Sequence, residues 1–147
     1  MTAKKVTGPE RIENAVAVLR QWQGIERDAI ETTAEIMEKT DNLLIRQVME
    51  IIRNDSVQHH RVQQFLIDSM TKTPITLTSD ELAEIWGEIE AHDKLERETI
   101  ELGKKLHAES TDPLAKILLD YLLKDEQKHD TLLGQLDEFK KHMAKLA

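Results

Sequence analysis

The stretch Leu118-Leu119-Asp120-Tyr121-Leu122-Leu123-Lys124-Asp125-Glu126-Gln127-Lys128-His129 decides the fold. Leu118, Leu122, Asp125, His129, Leu132 and Leu136 follow a 3.6-residue period, so the segment reads as an amphipathic helix with an acid and a histidine on its apolar stripe. A second stripe has the same form: Val48, Ile52, Asp55, His59, Val62 and Leu66. Glu26 continues the row Ile12, Ala15, Leu19 and Trp22, and Glu96 continues Leu82, Ile85 and Ile89, with His92 between. Four helices each place a carboxylate where a core residue belongs.

Working outward, the punctuation fits four long helices and no strands. Thr7-Gly8-Pro9-Glu10 has the form of an N-cap with proline in the first turn, and the periodic pattern runs from about Ile12 to Lys39. Thr40-Asp41-Asn42 breaks it, and a second helix runs from about Leu43 to Met70 before the β-branched segment around Pro74. Thr78-Ser79-Asp80-Glu81 is a capping box that opens a third helix ending near Glu109. Thr111-Asp112-Pro113 then starts the fourth. The fold class is therefore all-α: a four-helix bundle of two antiparallel hairpins, roughly 45 Å long at 1.5 Å per residue. Residues 1–8 are expected to be a flexible N-terminus and residues 9–147 one domain. The connection over residues 71–78 spans only about 26 Å when extended, so the crossover topology between the hairpins stays open.

Composition narrows the function classes. The 147 residues carry a formal net charge of -8, with 33% charged and 3% aromatic residues and no cysteine. An acidic surplus disfavours a phosphate-backbone partner, so nucleic acid is not expected. No cysteine means no disulfide, iron–sulfur cluster, thiolate zinc site or thiol nucleophile. No apolar run approaches the ~20 residues that span a bilayer, and no apolar stretch follows the N-terminal lysines, so the expected location is cytoplasmic with no membrane partner.

The hairpins repeat at an offset of 70 residues. Ile25-Glu26-Arg27-Asp28-Ala29-Ile30-Glu31 returns as Leu95-Glu96-Arg97-Glu98-Thr99-Ile100-Glu101, and Asp55 with His59 returns as Asp125 with His129. In an antiparallel hairpin, a turn near residue 41 sets Glu26 level with Asp55 and Ser56, and a turn near 111 sets Glu96 level with Glu126. Both levels lie about fifteen residues from a helix end, so Glu26, His59, Glu96, Glu126 and His129 are expected to converge at mid-height. Several buried carboxylates are prohibitively costly together unless they take up protons or a cation sits among them. Oxygen and imidazole donors without sulfur suit iron or manganese, with zinc also possible. Arg27 and Arg97 project about 100° away from their neighbouring glutamates and are poorly placed to neutralise them. Glu84, Glu88, Glu138, Lys140 and Lys141 read as solvated faces, and His60, His107 and His142 belong to no comparable set.

This pattern resembles the ferritin-like superfamily, specifically its rubrerythrin-like branch, over about residues 12–140. In those di-iron bundles two helices each give a glutamate and two each give Glu-x-x-His. Asp125-Glu126-Gln127-Lys128-His129 is similar to the family's Asp-Glu-x-x-His. The resemblance implies Glu26 and Glu96 as terminal carboxylate ligands, Glu126 as a bridging ligand, and His59 and His129 as imidazole ligands. It implies Asp55 and Asp125 as acceptors that orient the ligand histidines through their other ring nitrogens. The sequence departs from the pattern at Ser56, where the family has a second bridging glutamate, leaving di-iron, mononuclear and asymmetric sites open. His92, one turn before Glu96, is a further possible ligand, and Trp22 is its counterpart.

The resemblance implies ferroxidase or oxidoreductase chemistry on iron, oxygen or peroxide. Without cysteine there is no rubredoxin-type relay, so a peroxide-reducing role needs an external electron donor. The alternative is a non-catalytic helical interaction or structural protein whose polar layer sets helix register. A hemerythrin-like oxygen carrier would demand more inward histidines. The broad apolar face of Leu118, Leu119, Tyr121, Leu122 and Leu123 fits either a wide core or burial against a second subunit, so a homodimer is a further expectation.

Overall fold

The capping signals act where the sequence puts them. Thr7 Oγ1 accepts from the Glu10 amide while the Glu10 carboxylate accepts from the Thr7 amide, and Thr78 and Glu81 do the same. Asn42 Oδ1 accepts from the Ile45 amide and Asp112 Oδ1 from the Leu114 amide. Each cap satisfies amides that a helix's first turn leaves unpaired. The four helices of this computed structural model, which describes residues 7–146, are α1 (Gly8–Glu38), α2 (Leu43–Thr71), α3 (Ser79–Glu109) and α4 (Pro113–Leu146). No strand occurs among the described residues. Residues 1–6 of the expected flexible terminus lie outside them, while Thr7 and Gly8 already belong to the cap and first turn of α1.

The expected all-α, two-hairpin organisation is what the structure shows. α1 packs antiparallel to α2, α3 packs antiparallel to α4, and the chain divides between Ile75 and Thr76 into two compact units. The first turn is fastened by Arg46, whose guanidinium donates to the carbonyl oxygens of Met37 and Thr40 at the end of α1. Those carbonyls have no partner within the helix, and a cation at the negative end of the helix dipole is favourable.

Two helices bury a seam rather than a thick core. In the first hairpin the buried apolar residues are Leu19 and Ile67, and in the second they are Leu82 and Ile100. Polar side chains share those seams: Gln23, Glu26, Thr33, Ser56 and Gln63 in the first hairpin and Glu96 in the second. Several are satisfied locally. Gln23 Nε2 donates to the His60 carbonyl and to Gln64 Oε1, and Thr33 Oγ1 donates to the Ala29 carbonyl at 2.7 Å. Trp22, Ile25 and Phe65 in the first hairpin and Leu95, Leu102 and Leu132 in the second are exposed. No helix among the described residues is long and apolar enough to cross a membrane.

Candidate metal centre

In the second hairpin, α3 supplies Glu96 from the middle of its buried stripe. α4 supplies Glu126 and His129, which share a face because they lie three residues apart. One donor atom from each of the three lies within 4.8 Å of the others, a spacing that a single metal ion can bridge. The group can coordinate a cation. His129 Nδ1 lies 3.6 Å from Glu96 Oε2 and 3.8 Å from Glu126 Oε2, while its Nε2 lies 3.5 Å from Asp125 Oδ2. The imidazole thus turns one nitrogen towards the carboxylates and the other towards Asp125, which also pairs with Lys128 at 2.7 Å.

Glu96 is the demanding member. It is only 7% exposed, and its Oε2 is buried with no hydrogen-bond donor. Its Oε1 is met by His92 Nε2 at 2.9 Å. The facing Glu126 carboxyl holds Glu96 below the usual glutamate range, helped by His92 and His129 against the opposing effect of burial. Glu126 is pushed above that range, first by the facing Glu96 carboxyl, then by burial and by the Glu96 charge. Thr99, which donates to Glu126 Oε2 at 3.2 Å, acts in the other direction. Two carboxylates at this range oppose each other's ionisation, so a proton or a cation between them is favourable. Two carboxylates, one of them with an orphaned buried oxygen, and an imidazole are a donor set that a metal ion can satisfy.

The first hairpin repeats the frame with fewer donors. Glu26 Oε1 lies 3.3 Å from His59 Nδ1, and Trp22 Nε1 donates to the same oxygen at 3.1 Å. Ser56 is buried at the position that Glu126 occupies in the other repeat. Among the described residues, no hydrogen bond or ion pair joins Asp55 to His59, whereas Asp125 does approach His129. The structure therefore brings together Glu96, Glu126 and His129 in one hairpin and Glu26 with His59 in the other.

The arginines go elsewhere. Arg97 spans Asp93 at 3.1 Å and Asp130 at 3.5 Å, and at the equivalent position Arg27 meets His60 Nε2 at 3.2 Å. Asp93 is raised above the usual carboxylate range, first by the facing Asp130 carboxyl and then by burial. Sequence reasoning missed this second carboxyl pair, although the level of the turn near residue 111 sets Asp93 beside His129 and Asp130. It borders a cleft of about 280 Å³ lined by Trp86, Leu133 and Asp137 as well.

Comparison with known protein families, with curated proteins and with solved structures finds no match for this chain, so the ferritin-like resemblance is carried by these residues and their spacing alone.

Proposed function

We propose that this chain is an iron-binding helical protein whose metal centre lies in the α3–α4 hairpin, at Glu96, Glu126 and His129. The observation that carries the proposal is Glu96 Oε2: a buried carboxylate oxygen with no donor, beside a second carboxyl and an imidazole. In a protein interior such an oxygen costs about 1–3 kcal/mol or more unless a proton or cation meets it. Hard carboxylate oxygens with a borderline imidazole favour iron or manganese, and zinc is chemically admissible. Iron at such a centre supplies one-electron redox chemistry. The surrounding residues hold the ion: Asp125 steadies the His129 ring, and Thr99 orients the Glu126 carboxylate. The ferritin-like resemblance extends the proposal to oxidation of ferrous iron or reduction of peroxide with an outside electron donor.

A second reading is favoured by the first hairpin. There Ser56 replaces a ligand and Trp22 occupies a Glu26 oxygen, which suits a polar layer retained for helix register. Metal content decides between the two. After reconstitution with ferrous iron or manganese, atomic emission should find metal in the wild-type protein and little in the Glu126→Ala, His129→Ala double variant. Equal metal in both would leave the polar layer as the correct account. Iron retained without accelerated oxidation by oxygen or peroxide would confine the role to binding.

A further inference from the structure

We propose that His92 is a direct metal ligand, so that the α3–α4 hairpin by itself forms a two-imidazole, two-carboxylate site for one first-row divalent cation, and that Trp22 denies the equivalent site to the α1–α2 hairpin. This rests on the metal-binding reading above and adds the donor that completes it.

The geometry starts from Glu96, which presents one oxygen to each of two imidazoles. Oε1 lies 2.9 Å from His92 Nε2, and Oε2 lies 3.6 Å from His129 Nδ1. Cis donors on an ion with bonds of about 2.1 Å are about 3.0 Å apart in octahedral geometry and about 3.4 Å apart in tetrahedral geometry. The His92–Glu96 separation matches an octahedral edge, and His92 joins the 4.8 Å group of Glu96, Glu126 and His129 by pivoting from Oε1 towards it. The 3.6 Å and 3.8 Å separations around His129 close to that range with a movement of a few tenths of an ångström. Residues four apart on a helix lie one above the other, and metal-binding pairs on helices use this spacing because both donors then reach one ion. The His92 side chain is 61% exposed, so its ring has room to pivot from the Glu96 oxygen onto an ion beside it.

The repeat provides the internal comparison. Trp22 occupies the position of His92 and makes the same contact, with its ring nitrogen on Oε1 of the repeat's glutamate. The chemical difference is decisive. An indole nitrogen only donates, whereas a neutral imidazole nitrogen also offers a lone pair. Trp22 therefore consumes a Glu26 oxygen and returns no ligand, while His92 occupies the equivalent place with a nitrogen that can bind. Together with Ser56 in place of Glu126, this leaves the first hairpin with two donors and the second with four. Two nitrogens and two carboxylates without sulfur select iron, cobalt, zinc or manganese over magnesium or calcium.

Titration of the full chain with Co²⁺ alone, followed by its visible ligand-field bands, tests both halves. Wild type should bind one Co²⁺ per chain. His92→Ala and His92→Gln should each weaken binding at least tenfold and alter the band positions and intensities. Glutamine can still donate a hydrogen bond to Glu96, so wild-type affinity and spectrum in His92→Gln would reduce His92 to a positioning residue and overturn the inference. The converse variant is Trp22→His with Ser56→Glu, which recreates the four-donor set in the first hairpin. It should bind two Co²⁺ per chain, and a folded double variant that still binds one would refute the exclusion assigned to Trp22. Wild-type protein that binds no Co²⁺, or an affinity unchanged in Glu126→Ala with His129→Ala, would instead bring down the metal-binding reading itself.

Discussion

Replacing Glu126 with glutamine should make the metal-free protein more stable and the metal-loaded protein less so. In the absence of metal, the Glu96 and Glu126 carboxyls face one another with donor atoms inside a 4.8 Å group. Two unit charges at 4.8 Å repel by about 3.5 kcal/mol at an effective dielectric of 20. The Glu126 side chain is 30% exposed, and His129 lies 3.8 Å from it. Solvent screening and that neighbour reduce the gain from removing one charge to about 1–2 kcal/mol. Glutamine keeps an oxygen for the Thr99 hydroxyl, so that hydrogen bond survives. For a chain of this length the change corresponds to a rise of roughly 2–8 °C in Tm. With metal present the order reverses. An ion held at 100 times its Kd stabilises wild type by about 2.7 kcal/mol, an increment that the variant, lacking a carboxylate ligand, largely forgoes. Differential scanning calorimetry of both proteins at neutral pH, with chelator and then with ferrous or cobaltous ion under anaerobic conditions, reads the two signs in one experiment. A Glu126→Gln protein that melts below wild type in chelator, or that gains as much from metal as wild type does, would contradict the account of the carboxyl pair.

The same pair sets a pH dependence. Glu126 has a raised pKa in the folded protein, so the stability it contributes is present below the ordinary glutamate value near 4.5 and is lost as pH rises through the raised one. Glu96 runs the opposite way: its contribution is present above the ordinary value and is lost as pH falls through the lowered one. Metal-free protein should therefore lose stability as pH climbs from about 4.5 towards neutrality, and Glu126→Gln should flatten that decline. Asp93, also raised, contributes with the same sign, so Asp93→Asn should flatten it further; urea midpoints that stay parallel to wild type in both variants would contradict this. In the thin seam of the first hairpin Ile67 is only 1% exposed, and Ile67→Ala should cost about 3 kcal/mol by urea denaturation. A loss below about 1 kcal/mol would show that this seam does not hold the hairpin together.

Much of the backbone was legible because its signals are local. Thr78 and Glu81 form the capping box that their spacing requires, and α3 ends at Glu109 as the Thr111-Asp112-Pro113 break demands. α1 begins several residues before the apolar period does, because Thr7 and Pro9 start a helix whatever face follows. Within each hairpin, the contacts were legible to within one turn. Equal levels in an antiparallel hairpin set Glu26 beside Asp55 and Ser56, yet Glu26 meets His59. Side chains on both helices lean towards their own N-termini, so each contact shifts towards later residues than backbone level indicates. That lean also brings Thr99 onto Glu126 and Arg97 onto Asp130. The contact of Trp22 with Glu26 was hidden for another reason. A tryptophan on an apolar stripe reads as core, and nothing in its periodicity says that its ring nitrogen will be spent on a buried carboxylate.

The placement of the two tryptophans gives the molecule its own pair of optical labels. Trp22 reports from beside Glu26 in one hairpin, and Trp86, with the Lys140 ammonium 4.6 Å above its ring, reports from the other. Substituting either indole with phenylalanine silences one emitter and leaves its twin, so the melting of each half becomes visible separately without attaching any dye.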